Sequence, residues 1–351
     1  MNIKKIFAVL IFFHYSVVGR AQLSSIDSLV NEQMQEQHIT GLSLGIVKNG
    51  QVILSKGFGF SNLKDSTLAT DKTIYRLASL SKEMIAVNVM ILVEQGKLNL
   101  YDHLSKYIKD VPRDWAGITI RQLLNHTSGL ERESPAFSWK KKQADSIVIH
   151  AAYQDPLLFP PGKGWSYSNL GYFILAEIIH KVSNESFEDY MDQFFIKYGL
   201  TNTSTTSRNK GLNATKGYQY VETTGKNTDA IDIITFRASS AVASCISDLI
   251  RWDAMIGKSN LLSKAGWQKM WEDLVKEKER TNGTNSFYGY GWEVTRFKGH
   301  RLLNHSGSNP GFENEYWKFI DDGTSIIILT NQDKCSLGRI AKGIYLLLNQ
   351  Q

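Results

Sequence analysis

The sequence predicts an α+β fold in which segments from both ends of the chain form one antiparallel sheet, flanked by terminal helices, with a mostly helical lobe inserted between them. Three observations lead to this prediction. Strand-like runs lie near both termini, at about 41–60 and 286–331. Helical patterns dominate the middle, at about 80–285, and helical stretches precede the first strands and follow the last ones.

The N-terminal strands are predicted from a hairpin signal. Gly41 to Val47 and Val52 to Phe58 are apolar-rich runs joined by Asn49-Gly50. Asn-Gly between two such runs is the strongest short-range signal for a β-hairpin. The preceding stretch, Ser24 to Gln37, has the pattern of an amphipathic helix.

The C-terminal part of the sheet is predicted from four further runs. A turn at Asp321-Asp322-Gly323 separates the last two of them, and a final helix follows at about Leu337 to Leu348. The predicted strands are Tyr288 to Thr295, Arg301 to His305, Glu315 to Ile320 and Thr324 to Thr330.

The central helix is predicted to begin near Ser79 and to end at about Gln95, with Gly96 as the stop. Its stretch from Met84 to Val93 is apolar on nearly every side. A helix without a polar face is buried, so a side chain at its N-terminus would be held rigidly at the centre of the fold.

Residues 1–21 have the pattern of a secretory signal, which leaves 22–351 as one folded domain. Lys4 and Lys5 precede a short apolar run, Ile6 to Phe13, and Gly19-Arg20-Ala21 offers a cleavage site. The run is shorter than the roughly 20 residues of a membrane span. We therefore expect a periplasmic or secreted protein without stable membrane insertion after cleavage, with an N-terminal core helix or an uncleaved anchor as the alternatives.

The 351-residue chain has ordinary globular composition, with 42% hydrophobic and 21% charged residues. Loss of residues 1–21 removes three basic residues and no acid, so the formal charge falls from +6 to about +3. No basic block alternates with aromatic residues, which argues against nucleic acid as a partner.

Cys245 and Cys335 lie in no metal-binding pattern, so we expect neither a metal nor a cofactor. Two buried free thiols are the favoured interpretation, and a disulfide stays open.

The first candidate catalytic motif is Ser79-Leu80-Ser81-Lys82. A serine hydroxyl needs a base to act as a nucleophile, and a spacing of three residues puts both side chains on one helix face. Burial would lower the pKa of Lys82 enough for it to act as that base, and the helix N-terminus favours a developing anion. The alternative is that Ser79 is a simple N-cap.

Other matches to nucleophile motifs are less convincing. Three more Ser-x-x-Lys matches, at 61–64, 138–141 and 207–210, lie in polar stretches with no buried helix behind them. Gly41-Leu42-Ser43-Leu44-Gly45 fits the G-x-S-x-G pattern, but that elbow needs a strand, a turn and then a helix. Since Ser43 lies within a predicted hairpin arm, we do not expect it to be the nucleophile.

The second motif is Tyr167-Ser168-Asn169, after a turn at Pro160-Pro161-Gly162. A tyrosine near a lysine ammonium has a depressed pKa and can pass a proton to a leaving group. The Asn169 amide can donate to a substrate carbonyl and accept from an ammonium. A packed aromatic residue beside a turn asparagine is the structural alternative.

The third motif is His305-Ser306-Gly307-Ser308, at the end of a predicted strand. Glycine in a strand suggests that another backbone or a ligand approaches closely, and such an edge can bind a substrate as an added strand. The backbone N–H groups of Ser308 and Ser79 could together bind an oxyanion. A strand-end histidine before a Gly/Pro-rich turn is the alternative.

In this order, the three motifs resemble those of the serine β-lactamase and penicillin-binding-protein family. The likeness is greatest to the class C type and its relatives, the D-alanyl-D-alanine carboxypeptidases, D-aminopeptidases and family VIII esterases, and it spans about residues 25 to 350. Further matching segments are Tyr75-Arg76-Leu77-Ala78, the run from Leu124 to Leu130, Pro161-Gly162 and Pro310-Gly311-Phe312.

The resemblance implies a β-lactamase/transpeptidase-like fold and an exported serine hydrolase that forms an acyl-enzyme. Ser79 would attack with assistance from Lys82 and Tyr167, and Asn169 would position the substrate amide. The implied partners are small peptide, β-lactam or ester substrates, and the favoured reaction is carboxypeptidase-like cleavage of D-amino-acid peptides. Carboxylesterase or β-lactamase activity is the alternative, and a non-hydrolysing penicillin-binding sensor or scaffold is the alternative of another class.

The third motif carries the main departure from the family pattern. His305 would stand where many members have Lys, and Ser306 and Ser308 would offer hydroxyls to a substrate carboxylate. Histidine is only partly charged near neutral pH, so it should hold a carboxylate less firmly than lysine does. This departure weakens the expectation of efficient β-lactamase activity.

Overall fold

The computed structural model of the chain describes residues 3–138, 140–141, 143–205, 215–231, 240–272, 275–277 and 285–350, with the backbone alone described for 3–18. The predicted Ser-x-x-Lys match at 207–210 lies outside these residues. The helices are α1 (Ile3–Glu36), α2 (Ser81–Glu94), α3 (Ile120–Leu124), α4 (Asp145–Ala151), α5 (Asn169–Ser183), α6 (Phe187–Lys197), α7 (Ile246–Met255), α8 (Lys264–Glu272) and α9 (Leu337–Leu348).

The strands fall into one large and two small sheets. They are β1 (Gly41–Lys48), β2 (Gln51–Asn62), β3 (Thr67–Leu68), β4 (Tyr75–Arg76), β5 (Ser204–Thr205), β6 (Tyr218–Val221), β7 (Lys226–Asp229), β8 (Val242–Ser244), β9 (Val275–Lys276), β10 (Phe287–Tyr288), β11 (Glu293–Phe297), β12 (His300–Asn309), β13 (Phe312–Phe319) and β14 (Thr324–Thr330).

The large sheet joins the two ends of the chain, as the sequence predicts. Its nine described strands run in the order β3-β2-β1-β14-β13-β12-β11-β10-β9. β1 and β14 are antiparallel neighbours, with Leu42 opposite Thr330 and Lys48 opposite Thr324. The predicted α+β fold, with a sheet built from both termini and a mostly helical lobe inserted between them, is therefore confirmed.

One detail of the predicted elements is wrong. The single strand expected from Tyr288 to Thr295 is divided into β10 and β11, because Gly289 N–H bonds to the Trp292 carbonyl and Gly291 has a φ of +76°. This positive φ marks a turn that glycine adopts without steric cost. The mostly helical lobe contains short strands as well, from β5 to β9.

The sheet is covered on both faces. α1 and α9 pack on one face against Ile46, Ile326 and Ile328, whereas the larger core on the other face joins α2, α5 and α7 to Ile327 and Leu329. Period-2 alternation along β14 explains why neighbouring residues enter different cores. The strand β12 lies in this sheet, so its inward side faces the N-terminal end of α2.

The N-terminal helix α1 extends over the predicted signal segment as well as the predicted amphipathic helix. Ile26, Val30 and Met34 pack beneath the sheet beside α9, as expected for the segment from Ser24 onward. Within the described part of the chain, no helix combines the length and hydrophobicity of a membrane span. Cleavage after Ala21 stays a prediction.

The two cysteines are free thiols, Cys245 buried and Cys335 half-buried. The prediction of free thiols is thus confirmed for both described cysteines, but the prediction that they are buried is confirmed only for Cys245. Ser43 lies inside β1, where its hydroxyl contacts the Thr70 carbonyl at 2.7 Å and the Tyr75 hydroxyl at 2.9 Å. No helix follows it directly, so Ser43 is not in a nucleophile elbow.

The buried helix α2 carries an acid that gives a stability prediction. Glu83 is 1% exposed, and burial raises the pKa of its carboxyl well above the ordinary value. Trp252 Nε1 donates to Glu83 Oε1 at 2.8 Å. The folded protein thus keeps a proton that the unfolded chain releases above about pH 4.3, so stability falls as pH rises, by at most about 1.4 kcal/mol per pH unit.

We expect Glu83→Gln to flatten this decline, because the amide cannot ionise and still accepts from Trp252. Denaturant unfolding between about pH 5 and pH 8 measures the slope. Glu32→Gln, an exposed change on α1, is the control and should leave the slope as it is. A Glu83→Gln protein with the slope of the unaltered protein would show that Glu83 is ionised in the fold.

Candidate active site

The candidate nucleophile Ser79 lies in a short 3-10 turn, Ala78–Leu80, that leads directly into α2. Ala78 has a φ of +51°, a conformation that non-glycine residues adopt rarely. The predicted helix therefore begins two residues later than expected, and Ser79 stands on the turn before it. This geometry leaves the Ser79 side chain half-buried beside β12.

Lys82 is the fully buried partner of Ser79. Its side chain is 0% exposed, and its Nζ lies 3.1 Å from Ser79 Oγ and 2.7 Å from Asn169 Oδ1. Burial lowers the pKa of Lys82 well below its ordinary value, with Glu133 acting in the opposite direction and Arg132 adding to the lowering. A neutral amine has a lone pair, so Lys82 can accept the proton of Ser79.

Tyr167 contacts the same serine from the other side. The Ser79 side chain lies near enough to the phenol to lower its pKa, and Lys82 Nζ lies 4.8 Å from the centre of its ring. Burial raises the pKa of Tyr167 above its ordinary value. The expected depression of this pKa is therefore wrong, because desolvation outweighs the lowering from Ser79 and Arg132 and a neutral Lys82 supplies no ammonium.

Asn169 is the first residue of α5, where Ser168 caps the helix by accepting from Gly171 N–H at 3.0 Å. The cap fixes where α5 begins and so places the Asn169 amide beside Lys82. Asn169 Nδ2 donates to Glu133 Oε1, while Oδ1 accepts from Lys82. The structure thus brings together five side chains from three separate parts of the chain, those of Ser79, Lys82, Glu133, Tyr167 and Asn169.

His305 is buried on the inward side of β12, and both of its ring nitrogens have partners. Nε2 lies 2.9 Å from the Tyr288 hydroxyl, and Nδ1 lies 2.6 Å from the Ser306 carbonyl. Burial lowers the pKa of His305, an effect that Glu293 opposes. The imidazole is therefore neutral, with Nδ1 as donor and Nε2 as acceptor. It does not provide the cation that lysine would.

Gly307 brings β12 against the nucleophile turn. A Cβ at this position would lie 2.2 Å from the Leu77 carbonyl oxygen and 3.2 Å from Ser79 N. These distances are shorter than van der Waals contact, so only glycine fits without a backbone shift. The expected close approach of two backbones is observed here.

Ser306 and Ser308 differ from the expectation in their side chains. Both are exposed on the face of β12 opposite Gly307, and Ser308 Oγ donates to Glu313 Oε1 at 2.7 Å. Period-2 alternation turns their hydroxyls away from Ser79 because Gly307 faces it. Neither hydroxyl is therefore placed to bind a carboxylate beside the nucleophile.

The backbone N–H groups of Ser306 and Ser308 point in a different direction from their side chains. β11 pairs with β12 only from His300 to Asn304, with Lys298-Gly299 as a two-residue turn. In such a hairpin the hydrogen-bonded pairs recur at every second residue, here at even positions of β12. The N–H groups of Ser306 and Ser308 point toward the same side, beyond the end of β11. That edge can receive a substrate strand.

Several residues at the site were not singled out from the sequence. His126, in the matching run from Leu124 to Leu130, is fully buried and accepts from Ser168 N–H at 3.1 Å. Tyr172 and Tyr288 are buried within hydrogen-bonding reach of one another. Glu133 follows the same run by three residues, and no pattern in the sequence links it to Asn169.

Among the described residues, no cluster of three or more His, Cys, Asp or Glu could hold a metal ion. The groups gathered around Ser79 are an amine, a phenol, an amide and a strand edge. Together they can deprotonate an alcohol and stabilise an oxyanion.

Comparison with known proteins agrees with this geometry. The chain is 27% identical over 326 residues to Penicillin-binding protein 4* of Bacillus subtilis (strain 168), which covers 86% of this chain and 70% of that protein. The octameric penicillin-binding protein homologue from Pyrococcus abyssi superimposes with a TM-score of 0.84 and 26% identity, over 93% of this chain and 77% of that one.

A third similar protein, the D-amino acid amidase from Ochrobactrum anthropi SV3, shares the fold at 18% identity, with a TM-score of 0.83 over 93% of this chain and 99% of that one. The family model described as Beta-lactamase matches residues 26–347, nearly the whole chain. With the serine, lysine and tyrosine motifs brought to one point, this match shows that the chain belongs to the β-lactamase family.

Proposed function

We propose that this protein is a serine hydrolase that forms an acyl-enzyme on Ser79. The observation that carries the proposal is the 3.1 Å contact between Ser79 Oγ and the Nζ of the fully buried Lys82. Since burial lowers the pKa of that amine well below its ordinary value, the contact joins a nucleophile to a group that can act as its base. The likeness to penicillin-binding proteins supports the same reaction class.

The mechanism follows from the positions of the side chains. Lys82 takes the Ser79 proton as Oγ bonds to the substrate acyl carbon, and the carbonyl electron pair moves onto oxygen. The backbone N–H groups of Ser79 and Ser308 bind that oxyanion. The Tyr167 phenol gives its proton to the leaving group and is reprotonated from the Lys82 ammonium. Water, deprotonated by Lys82, then attacks the acyl carbon; its bond to Ser79 Oγ breaks, and Oγ regains the proton from the Lys82 ammonium.

For the substrate, we propose amide bonds of D-amino-acid compounds such as D-amino-acid peptides. Support comes from the shared fold with the D-amino acid amidase and the likeness to Penicillin-binding protein 4*. The open edge of β12 beside Ser79 suits an extended acyl chain.

A second candidate substrate class consists of esters and amides without a terminal carboxylate. The observation that favours it is the neutral His305, whose two nitrogens bond Tyr288 and Ser306. The exposed hydroxyls of Ser306 and Ser308 also face away from the nucleophile. A carboxylate-bearing substrate would therefore lack a partner at this point of β12, which weighs against efficient β-lactamase or carboxypeptidase turnover.

A fluorophosphonate or fluorescent penicillin probe tests the nucleophile. We expect Ser79→Ala to abolish labelling, whereas Ser138→Ala, which alters another Ser-x-x-Lys match at 138–141, should label at the normal rate. Labelling of the Ser79→Ala protein at an unchanged rate would refute the assignment.

The unaltered protein is then assayed with D-amino-acid amides, D-Ala-D-Ala peptides, short p-nitrophenyl esters and nitrocefin. Turnover of the first two supports the favoured substrate class, and turnover of esters alone supports the second. Labelling at Ser79 without turnover of any compound would instead indicate the non-hydrolysing sensor or scaffold.

A further inference from the structure

The loop between α3 and α4 carries two oppositely charged residues that reach the site. Glu133 accepts a hydrogen bond from Asn169 Nδ2, and the Arg132 guanidinium carbon lies 5.1 Å from the centre of the Tyr167 ring. Glu133 is half-buried, whereas Arg132 is exposed. Their contacts end on Asn169 and Tyr167, which both adjoin Lys82.

The hydrogen bonds form a directed chain. Glu133 accepts from Asn169 Nδ2, and Asn169 Oδ1 accepts from Lys82 Nζ at 2.7 Å. An amide can be turned end for end at little steric cost, so its partners decide its orientation. A carboxylate only accepts, and it therefore forces the Asn169 oxygen toward Lys82. The Lys82 amine then donates one hydrogen to Asn169 Oδ1, and its lone pair is directed at the Ser79 hydroxyl.

We propose that Glu133 is a positioning residue that fixes the Asn169 amide so that Lys82 presents its lone pair to Ser79, and that Arg132 balances the charge of Glu133. The inference rests on the proposed function, since it concerns the base of that reaction. Neither residue need touch the reacting atoms.

The charges around Lys82 support opposite roles for the two residues. The Glu133 carboxylate raises the pKa of Lys82, and the Arg132 guanidinium lowers it. Burial raises the pKa of Glu133 itself, against the lowering from Asn169, Lys82 and Arg132. The other titratable groups that surround Lys82 are Tyr167, Tyr172, His126 and His305, and burial shifts the pKa of each toward its neutral form.

The test is the pH dependence of the second-order rate of labelling by a neutral fluorophosphonate. The rate rises with pH as Lys82 loses its proton. Glu133→Gln should move this rise to lower pH by about half a unit or more, because a negative charge is lost. It should also lower the plateau by about tenfold or more, because glutamine can donate and lets Asn169 turn round.

Arg132→Gln should move the rise in the opposite direction, to higher pH, because a positive charge is lost. Glu131→Gln, two residues from Glu133 in the same loop, is the matched control. It should leave unchanged both the pH at which the labelling rate rises and the plateau that the rate reaches. A shift in the same direction for Glu133→Gln and Arg132→Gln, or no shift for either folded variant, would overturn the inference.

The failure of the proposed function has a different signature. If Ser79→Ala labels as well as the unaltered protein, the nucleophile is wrong and these profiles do not report on Lys82. If labelling depends on Ser79 and the profiles do not move, only the role of Glu133 is wrong. Thermal unfolding of each variant identifies a loss of rate that comes from loss of fold.

Discussion

Replacement of Lys82 by arginine is expected to lower the rate of Ser79 acylation by about 10²- to 10⁴-fold, the usual contribution of a general base. Arginine stays protonated at every accessible pH and has no lone pair to offer the serine. The guanidinium would also be a charge at a site that is 0% exposed. The rate of probe labelling between about pH 5 and pH 10 measures the effect, and the rise with pH should disappear.

Because a buried arginine can also impair folding, Lys82→Met provides a second variant. Methionine keeps the length and the apolar packing of the lysine stem without a charge. Lys181→Arg on α5, where Lys181 pairs with Glu177 at 3.2 Å, is the control and should label normally. A folded Lys82→Met protein that labels within about threefold of the normal rate would show that Lys82 is not the base.

The second large effect is expected from Gly307→Ala. The added methyl would lie 2.2 Å from the Leu77 carbonyl oxygen and 3.3 Å from Ala78 Cβ. Backbone atoms cannot rotate away, so β12 and the nucleophile turn must separate. A displacement of about 1 Å can cost about 10²-fold in rate, and we expect a loss of that size in acylation. Overpacking should also lower the free energy of unfolding by about 1–3 kcal/mol.

The matched control is Gly338→Ala in α9, where a Cβ would have nothing within 4 Å. Alanine is favoured over glycine within a helix, so this variant should be stabilised by about 0.5–1 kcal/mol and label normally. Labelling kinetics and denaturant unfolding give both readouts. Normal kinetics in Gly307→Ala would mean that β12 need not contact the nucleophile turn during acylation.

The elements that could be predicted from the sequence are those whose signals are local. The Asn49-Gly50 turn, the apolar stretch of α2 and the final helix all depend on residues close together in the chain, and each lies where expected. The division of β10 from β11 was missed because aromatic and β-branched residues, which favour strands, recur along the whole run from Tyr288 to Thr295. Only the turn at Gly289 to Trp292 shows the break.

The site could be predicted in part for the same reason. Ser79 and Lys82 are one helical turn apart, so their contact follows from spacing. Glu133 was not predicted, since a single acid in a loop has no pattern that links it to Asn169, 36 positions later in the chain. The directions of Ser306 and Ser308 depend on which face of β12 meets the nucleophile turn, which a four-residue motif does not reveal.

The sequence by itself determined the kind of fold and the functional groups available to it, because hydrophobic periodicity and turn chemistry act over a few residues. Only the tertiary structure decided the protonation states. Burial lowers the pKa of Lys82 and of His305 and raises that of Tyr167, because segments from distant parts of the chain exclude water from all three. Desolvation is a property of the assembled packing, and no local pattern encodes it.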